Sequence, residues 1–330
     1  MPKTRYNNMD NVSTDKTLKQ FRQWRDERRR KKKDYSYLIP NSSPQLEYLR
    51  SNRSELAITW IGHSTFLIQF AGLNIVTDPV WAMRMGFQRR LGAPGIPISE
   101  VPEVDVILIS HSHYDHMHVS SIRRLYTEHT QLIVPIGLAR KMIRKGFRRT
   151  REMNWWDSLQ IGDAKISFVP TQHWTRRTPF DTNTSHWGGF VLEHVPESDR
   201  AGDTPEGKQA GRTGDHLKRM RSIYFAGDSG YFPGFKQIGE RFDISVALLP
   251  IGAYEPEWFM TSQHTTPEEA VQAFIDVKAE LMVPMHYGTF RLADDTAREA
   301  LDRMEADRVK RGIPPEAIKV LLHGETLRLL

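Results

Sequence analysis

Ser110-His-Ser-His-Tyr-Asp-His-Met-His118 decides how this chain is read. It sets His111, His113, Asp115 and His116 within six residues, directly after the apolar run Val104-Asp-Val-Ile-Leu-Ile109, which reads as a buried strand. Residues two apart on an extended segment point the same way. His111 and His113 can therefore chelate one cation, while a turn at Asp115-His116 offers an oxygen and a nitrogen to a second. That is the layout of a two-metal hydrolase. A histidine-rich tract can also collect stray metal at a surface, and the chain has 13 histidines. An Asp-His pair following an apolar strand is the feature that such a tract lacks.

The 330 residues contain no cysteine, which excludes disulfides, thiolate zinc sites and cysteine nucleophiles and leaves His and carboxylate to hold any metal. It also fits a reducing, cytoplasmic setting. A formal charge of +6 favours anionic partners such as lipid headgroups, phosphoesters or nucleic acid. The basic runs are not interleaved with aromatics as in a nucleic-acid module, so nucleic-acid processing ranks last. With no apolar signal core and no run long enough to span a bilayer, the expectation is a soluble protein or one held peripherally on a membrane.

Residues 1–50 read as a basic N-terminal extension, partly flexible, and 51–330 as one hydrolase domain. In the extension, Phe21-Arg-Gln-Trp-Arg-Asp-Glu-Arg-Arg-Arg-Lys-Lys-Lys33 carries eight basic and two acidic residues, either a solvated helix or a contact for an anionic membrane. Runs at 57–61, 65–70 and 73–77 predict an antiparallel meander. A loop to residue 102 mixes Trp81, Met83, Met85 and Phe87 with Arg84, Arg89 and Arg90; it forms a lipid-facing lip or folds back on the domain. Further strands are expected at 131–135, 165–169, 189–192, 222–226, 244–250, 281–284, 317–322 and 326–330. Helices are expected at about 119–127, 140–149, 266–278 and 293–311. Residues 196–221 have almost nothing to bury and read as a surface insertion. Strands and helices alternating in both halves predict two sheets packed face to face between helices.

Each later strand end carries another candidate ligand: His173 in Val169-Pro-Thr-Gln-His, Asp228 in Phe225-Ala-Gly-Asp, and His286 in Val283-Pro-Met-His. With the first four they make seven. Taken with Gln172-His-Trp-Thr-Arg-Arg177, Tyr224-Phe-Ala-Gly-Asp-Ser-Gly-Tyr231, Pro250-Ile-Gly-Ala-Tyr-Glu-Pro-Glu-Trp-Phe-Met260, Gln263-His-Thr-Thr-Pro-Glu-Glu-Ala270 and Met285-His-Tyr-Gly-Thr-Phe290, the chain resembles the metallo-β-lactamase superfamily. Within it, the resemblance is to the branch of N-acyl-phosphatidylethanolamine-hydrolysing phospholipase D.

That resemblance implies an αββα four-layer sandwich and two Zn2+, with Mn2+ or Fe also accepted by such ligands. It implies that His111, His113 and His173 hold one cation, that Asp115, His116 and His286 hold the other, and that Asp228 bridges them. A metal-bound hydroxide would then cleave a phospholipid at a membrane surface into phosphatidic acid and an N-acylethanolamine. Asp115, Asp228 and His264 would take part in the chemistry, His264 by binding or protonating the leaving alkoxide. Asp78 would orient a ligand histidine through its free ring nitrogen. His63 is either a structural hydrogen-bonding residue or a neighbour of the site. Trp174, Tyr254, Trp258 and Phe259 would line an acyl groove or lie in the core. Where relatives carry an acidic residue two places after the last ligand of the first motif, this chain has His118. A soluble lactone or phosphodiester remains the alternative substrate, since the scaffold hosts many reactions. The sequence does not specify an oligomeric state.

Overall fold

The computed structural model describes residues 4–196 and 222–329. The insertion expected at 196–221 falls, apart from Pro196, outside them. Fifteen strands are described: β1 Leu56–Gly62, β2 Thr65–Phe70, β3 Leu73–Thr77, β4 Arg84–Met85, β5 Gln88–Arg89, β6 Val106–Leu108, β7 Gln131–Pro135, β8 Thr150–Met153, β9 Ser158–Ile161, β10 Ala164–Val169, β11 Gly189–His194, β12 Ser222–Phe225, β13 Val246–Pro250, β14 Leu281–Met285 and β15 Thr326–Leu329. They form a seven-stranded sheet, β15-β1-β2-β3-β6-β7-β8, a six-stranded sheet, β14-β13-β12-β11-β10-β9, and the small hairpin β4-β5.

Period-two alternation explains the layers. In the first sheet Ile58, Trp60, Phe66, Ile68, Ile75, Val106 and Leu108 belong to one core with Ile166, Phe168, Phe190, Leu192, Ile223 and Phe225 of the second. The intervening Ile61, Leu67, Val76, Ile107 and Ile109 pack instead with Ile122, Leu125, Leu138 and Met142, contributed by helices Val119–Leu125 and Ala139–Arg144 and the turn before the latter. Beyond the second sheet lie helices Gly234–Arg241, Pro267–Asp276 and Ala297–Lys310, which add Phe235, Ile238, Val271, Phe274 and Met304 to the shared core. The result is the expected αββα sandwich.

Strand direction brings the candidate ligands to one edge. β3 runs parallel to β6, and β12, β13 and β14 run parallel. β10 is antiparallel to β11, which is antiparallel to β12, so β10 shares the direction of β12. The chain segments leaving β3, β6, β10, β12 and β14 carry Asp78, His111, His173, Asp228 and His286. Helix Pro267–Asp276 starts as the sequence indicates, with Thr266 and Glu269 forming a capping box and Pro267 in the first turn.

Two expectations need correction. Residues 317–322 do not form a strand: a 3-10 turn at Pro315–Ala317 leaves a single bridge between Ile318 and Met282. The run expected as one helix over 140–149 stops at Arg144, where Gly146 takes a left-handed backbone (φ 98°) and ends it, and β8 follows. Phe190 is fully buried with its ring 5.0 Å from that of Phe168 in the inter-sheet core. Phe190→Ala is expected to lower unfolding stability by about 3–5 kcal/mol, measured by urea denaturation.

Candidate metal centre

Asp78 organises the first ligand loop. Its carboxylate accepts from the backbone N–H of Ser110 (2.7 Å), from Ser110 Oγ (2.6 Å) and from His116 Nδ1 (2.7 Å). Ser110 Oγ, committed to Asp78 as donor, accepts in turn from His111 Nδ1 at 2.9 Å. His173 Nδ1 donates to the carbonyl of Gln263 at 2.9 Å. These partners assign the proton of all three rings to Nδ1 and leave each Nε2 a lone pair turned towards the cluster.

The lone pairs converge in two groups. His111 Nε2 lies 2.9 Å from His113 Nδ1, which lies 3.2 Å from His173 Nε2. On the other side, His116 Nε2 and His286 Nε2 are 3.3 Å apart, and Asp115 Oδ2 stands 3.4 and 3.7 Å from them. Asp228 Oδ2 is 3.1 Å from both of these nitrogens, 3.8 Å from His173 Nε2 and 4.0 Å from His111 Nε2. Its Oδ1 is buried with no hydrogen-bond partner among the described residues. In the first group neutral imidazole nitrogens held this close repel one another, and beside the second a buried carboxylate oxygen without a donor is costly. A cation in each group would relieve both, so the residues fit two cations: His111, His113 and His173 could hold one, Asp115, His116 and His286 the other, with Asp228 within reach of both.

Electrostatics divides the two groups. Burial, reinforced by neighbouring rings, holds His111 well below the ordinary histidine pKa, His113 at about 3 and His173 at about 4. These are neutral at neutral pH, the state a ligand requires. Burial also acts to lower His116 and His286, but the Asp228 and Asp115 carboxylates overcome it, raising His116 and bringing His286 to about 9.

Three non-glycine residues of the site, His63 (φ 57°), Asp78 (φ 34°) and His286 (φ 62°), adopt left-handed backbone, a strain that such sites tolerate because it aims side chains. His63 lies in the turn between β1 and β2; its Nε2 meets Asp115 Oδ2 at 3.1 Å and its ring packs 4.1 Å from that of His286. The contact with Asp115 is a hydrogen bond and also lies beside the cluster, so the two readings of His63 coincide in one place. His264 is buried, with Nδ1 3.9 Å from Asp228 Oδ2 and its ring 5.2 Å from His173.

The four aromatics divide. Trp174 meets His113 edge-on at 4.7 Å, with Arg176 over its other side. Tyr254 is fully buried beneath Arg303. Phe259 is buried and stacks on Trp24 of helix Leu18–Arg30, and Trp258 is exposed on the surface, donating to Glu27.

Sequence reasoning missed three supports. Ser110 has the role above. Arg177 Nη1 donates to the carbonyls of Ser112 (2.8 Å), Met117 (2.9 Å) and His113 (3.3 Å), tying the ligand loop closed; the signal was a second arginine four places after His173. Asn8 Oδ1 accepts from the backbone N–H of His173 at 3.0 Å, with no local signal at all. His118, the departure from the family pattern, caps helix Val119–Leu125: Nδ1 accepts from Ser121 N–H at 3.3 Å and pairs with Ser121 Oγ at 2.8 Å. It supplies the acceptor that an acidic residue would supply there.

The family model described as "Beta-lactamase superfamily domain" matches residues 73–287. The "N-acyl-phosphatidylethanolamine-hydrolyzing phospholipase D 1" of Caenorhabditis elegans is 31% identical over 280 residues, covering 77% of this chain and 72% of that protein. A "UPF0173 metal-dependent hydrolase" of Methanopyrus kandleri is 30% identical over 237 residues, 71% of this chain and 85% of its own length. Among solved structures, a metallo hydrolase from Ignicoccus hospitalis superposes with a TM-score of 0.59 over 84% of this chain and 99% of its own, at 22% identity.

His118→Ala is expected to lower unfolding stability by about 1 kcal/mol and His118→Asp to restore it. Burial, then Arg177, lowers the His118 pKa below its ordinary value, so the neutral acceptor is the folded form. The cap's contribution is therefore full above the unfolded-state pKa and lost as pH falls through the lowered one. Denaturation midpoints measured from pH 7 downwards should show unaltered protein losing ground to His118→Asp on acidification.

Proposed function

The chain belongs to the beta-lactamase superfamily as a metal-dependent hydrolase, and from that premise we propose that it is a phospholipase D-type phosphodiesterase acting on N-acyl-phosphatidylethanolamine or a closely related phospholipid at a membrane surface. The observation that carries this reading is the set of exposed apolar side chains on segments that adjoin the ligand-bearing ones. The β4-β5 hairpin presents Met83 and Phe87, the latter fully exposed; the ligand loop presents Tyr114, the loop after His173 presents Phe180, and helix Leu18–Arg30 presents Leu18 and Phe21. Arg84, Arg89, Arg176, Arg22 and Arg25 are exposed among them. Large apolar side chains interleaved with arginine match an interface of acyl chains under anionic headgroups. In the loop from 78 to 102, Trp81 and Arg90 fold back on the domain, bonded to the carbonyls of Ile96, Val80 and Ile61, while Met83 and Phe87 between them stay exposed, which supports the lip reading for the hairpin. Its base pairs with Phe290, four residues after His286. The likeness to the nematode enzyme supports the same substrate. No helix among the described residues is long and apolar enough to cross a membrane, so attachment would be peripheral.

Two zinc or similar divalent ions would supply water ionised near neutral pH and positive charge against the phosphoryl oxygens. The chain does the rest. Asp78, Ser110 and Gln263 fix the direction of the rings they touch and Arg177 holds the loop backbone, so little reorganisation is left for the reaction. Asp115 and Asp228 hold negative charge on the polar side of the cluster and keep it attractive to cations. Arg176, stacked on Trp174 beside His113, meets the phosphate from the solvent side. His264 is neutral, because burial holds its pKa well below the ordinary value; it hydrogen-bonds the leaving oxygen rather than delivering a proton to it.

Zinc-loaded protein is expected to release phosphatidic acid and N-acylethanolamine from vesicles, and Asp228→Ala to abolish turnover; activity confined to soluble lactones or phosphodiesters would refute the lipid reading. Phe87→Ser with Phe180→Ser is expected to weaken vesicle flotation by about tenfold or more, each lost phenyl ring removing about 1.5–3 kcal/mol of apolar burial. Turnover of a short-chain monomeric substrate should be unchanged.

A further inference from the structure

We infer that the N-terminal segment is a strap that holds the His173 half of the metal centre in place, with Asn8 as its positioning residue. Loosening it would weaken the cation held by His111, His113 and His173 and leave the other unaffected. The inference rests on the two-cation reading above.

His173 differs from the other histidines in what secures it. His111, His113 and His116 belong to one short loop closed by Asp78, Ser110 and Arg177, and His286 directly follows β14, which pairs in parallel with β13 over five residues. His173 instead lies four residues beyond the end of β10, and its backbone N–H donates to Asn8 Oδ1, from 165 positions away in the chain. The same Oδ1 accepts from Trp187 Nε1 at 3.0 Å, a donor shared with the Thr171 carbonyl at 3.1 Å, so one buried amide oxygen joins the segment bearing His173 and the segment before β11. Asn8 is itself oriented by Nδ2 donating to the carbonyl of Val12 at 2.9 Å. Beside it, Tyr6 N–H donates to the carbonyl of Asn183 at 2.9 Å and the Tyr6 ring stacks on His186 at 4.6 Å.

The strap also fastens the second flank of His173. Its ring proton goes to the carbonyl of Gln263, in a segment that carries His264 next in line. Lys16 Nζ donates to Ser262 Oγ at 2.9 Å. Trp24 and Phe21 pack on Phe259 at 5.1 and 5.2 Å. Farther along, Arg28 pairs with Asp294 at 3.0 Å, and Lys33 with Glu255 at 2.7 Å and Glu299 at 2.6 Å. The basic residues that read as a solvated or membrane-seeking face thus include several that pin the strap to acidic partners. Both hydrogen bonds that fix His173, one to its backbone and one to its ring, depend on segments the strap contacts. A ligand ring whose supporting partners are lost typically binds metal about 10–100-fold more weakly.

The test uses full-length protein stripped of metal and titrated with Co2+, followed by visible absorption, and with Zn2+ against a chelating dye. Unaltered protein should bind two cations. Asn8→Ala should weaken one of them by about tenfold or more and leave the other within about twofold. Asn8→Asp keeps an oxygen for the same two N–H donors but loses the N–H donated to Val12, so it should recover most, not all, of the affinity that Asn8→Ala loses at that site. Lys16→Met, which breaks the other flank without touching Asn8, should lower affinity at the same single site. Equal affinities in Asn8→Ala and unaltered protein, an equal loss at both sites accompanied by a lower melting temperature, or failure of Asn8→Asp to rescue would each overturn the strap's role. Fewer than two cations bound by unaltered protein would overturn the two-cation reading, and the inference with it.

Discussion

The structure depends on one electrostatic constraint: Asp228 and Asp115 carry carboxylates into a cluster where five imidazole rings converge. Such an arrangement stands only if positive charge compensates it. Protons on His116 and His286 do part of this in the bare protein, and divalent cations would do it more fully, since one ion can satisfy several lone pairs at once. The candidate ligands come from both sheets. His111, His113, Asp115 and His116 leave the first; His173, Asp228 and His286 leave the second. The cluster therefore exists only when the two sheets are packed, and the inter-sheet core of Ile58, Phe66, Phe168 and Phe225 serves the site as much as it serves stability.

Rigidity around the cluster is supplied from behind. Asp78 reaches Ser110 and His116 from a left-handed backbone that a non-glycine residue takes only where its surroundings enforce it. Arg177 spends one nitrogen on three carbonyls of the ligand loop. Asn8 does the corresponding work for His173. Each support satisfies groups that burial would otherwise leave unpaired; His113 and Asp115 themselves are half-buried, with Trp174 against His113.

Much of this was legible in the sequence because local pattern and chemistry coincide. The apolar strands β1 to β3, β6, β7 and β10 to β14 were placed within a few residues, and each ligand follows such a strand at a point where a polar residue has no packing role. The polar edge strands β8 and β9 were not seen: Thr150-Arg-Glu-Met153 and Ser158-Leu-Gln-Ile161 carry too little apolar alternation. Residues 317–322 have an apolar composition that mimics a strand, but they pair at only one bridge. The N-terminal segment gave a charge count and no partner, because Asn8, Lys16 and Trp24 act across more than 150 positions of sequence. His118 read as a departure from an acidic residue, and in the structure it caps helix Val119–Leu125 through Ser121.

The central claim is that one cation sits among His111, His113 and His173 and a second among Asp115, His116 and His286, with Asp228 touching both. Anomalous diffraction from zinc-soaked crystals, recorded on either side of the zinc absorption edge, tests it most directly. The account predicts two peaks, each within about 2.0–2.2 Å of its three ligand atoms and both adjacent to Asp228. A single peak, or two that leave His173 or His286 uncoordinated, would contradict it.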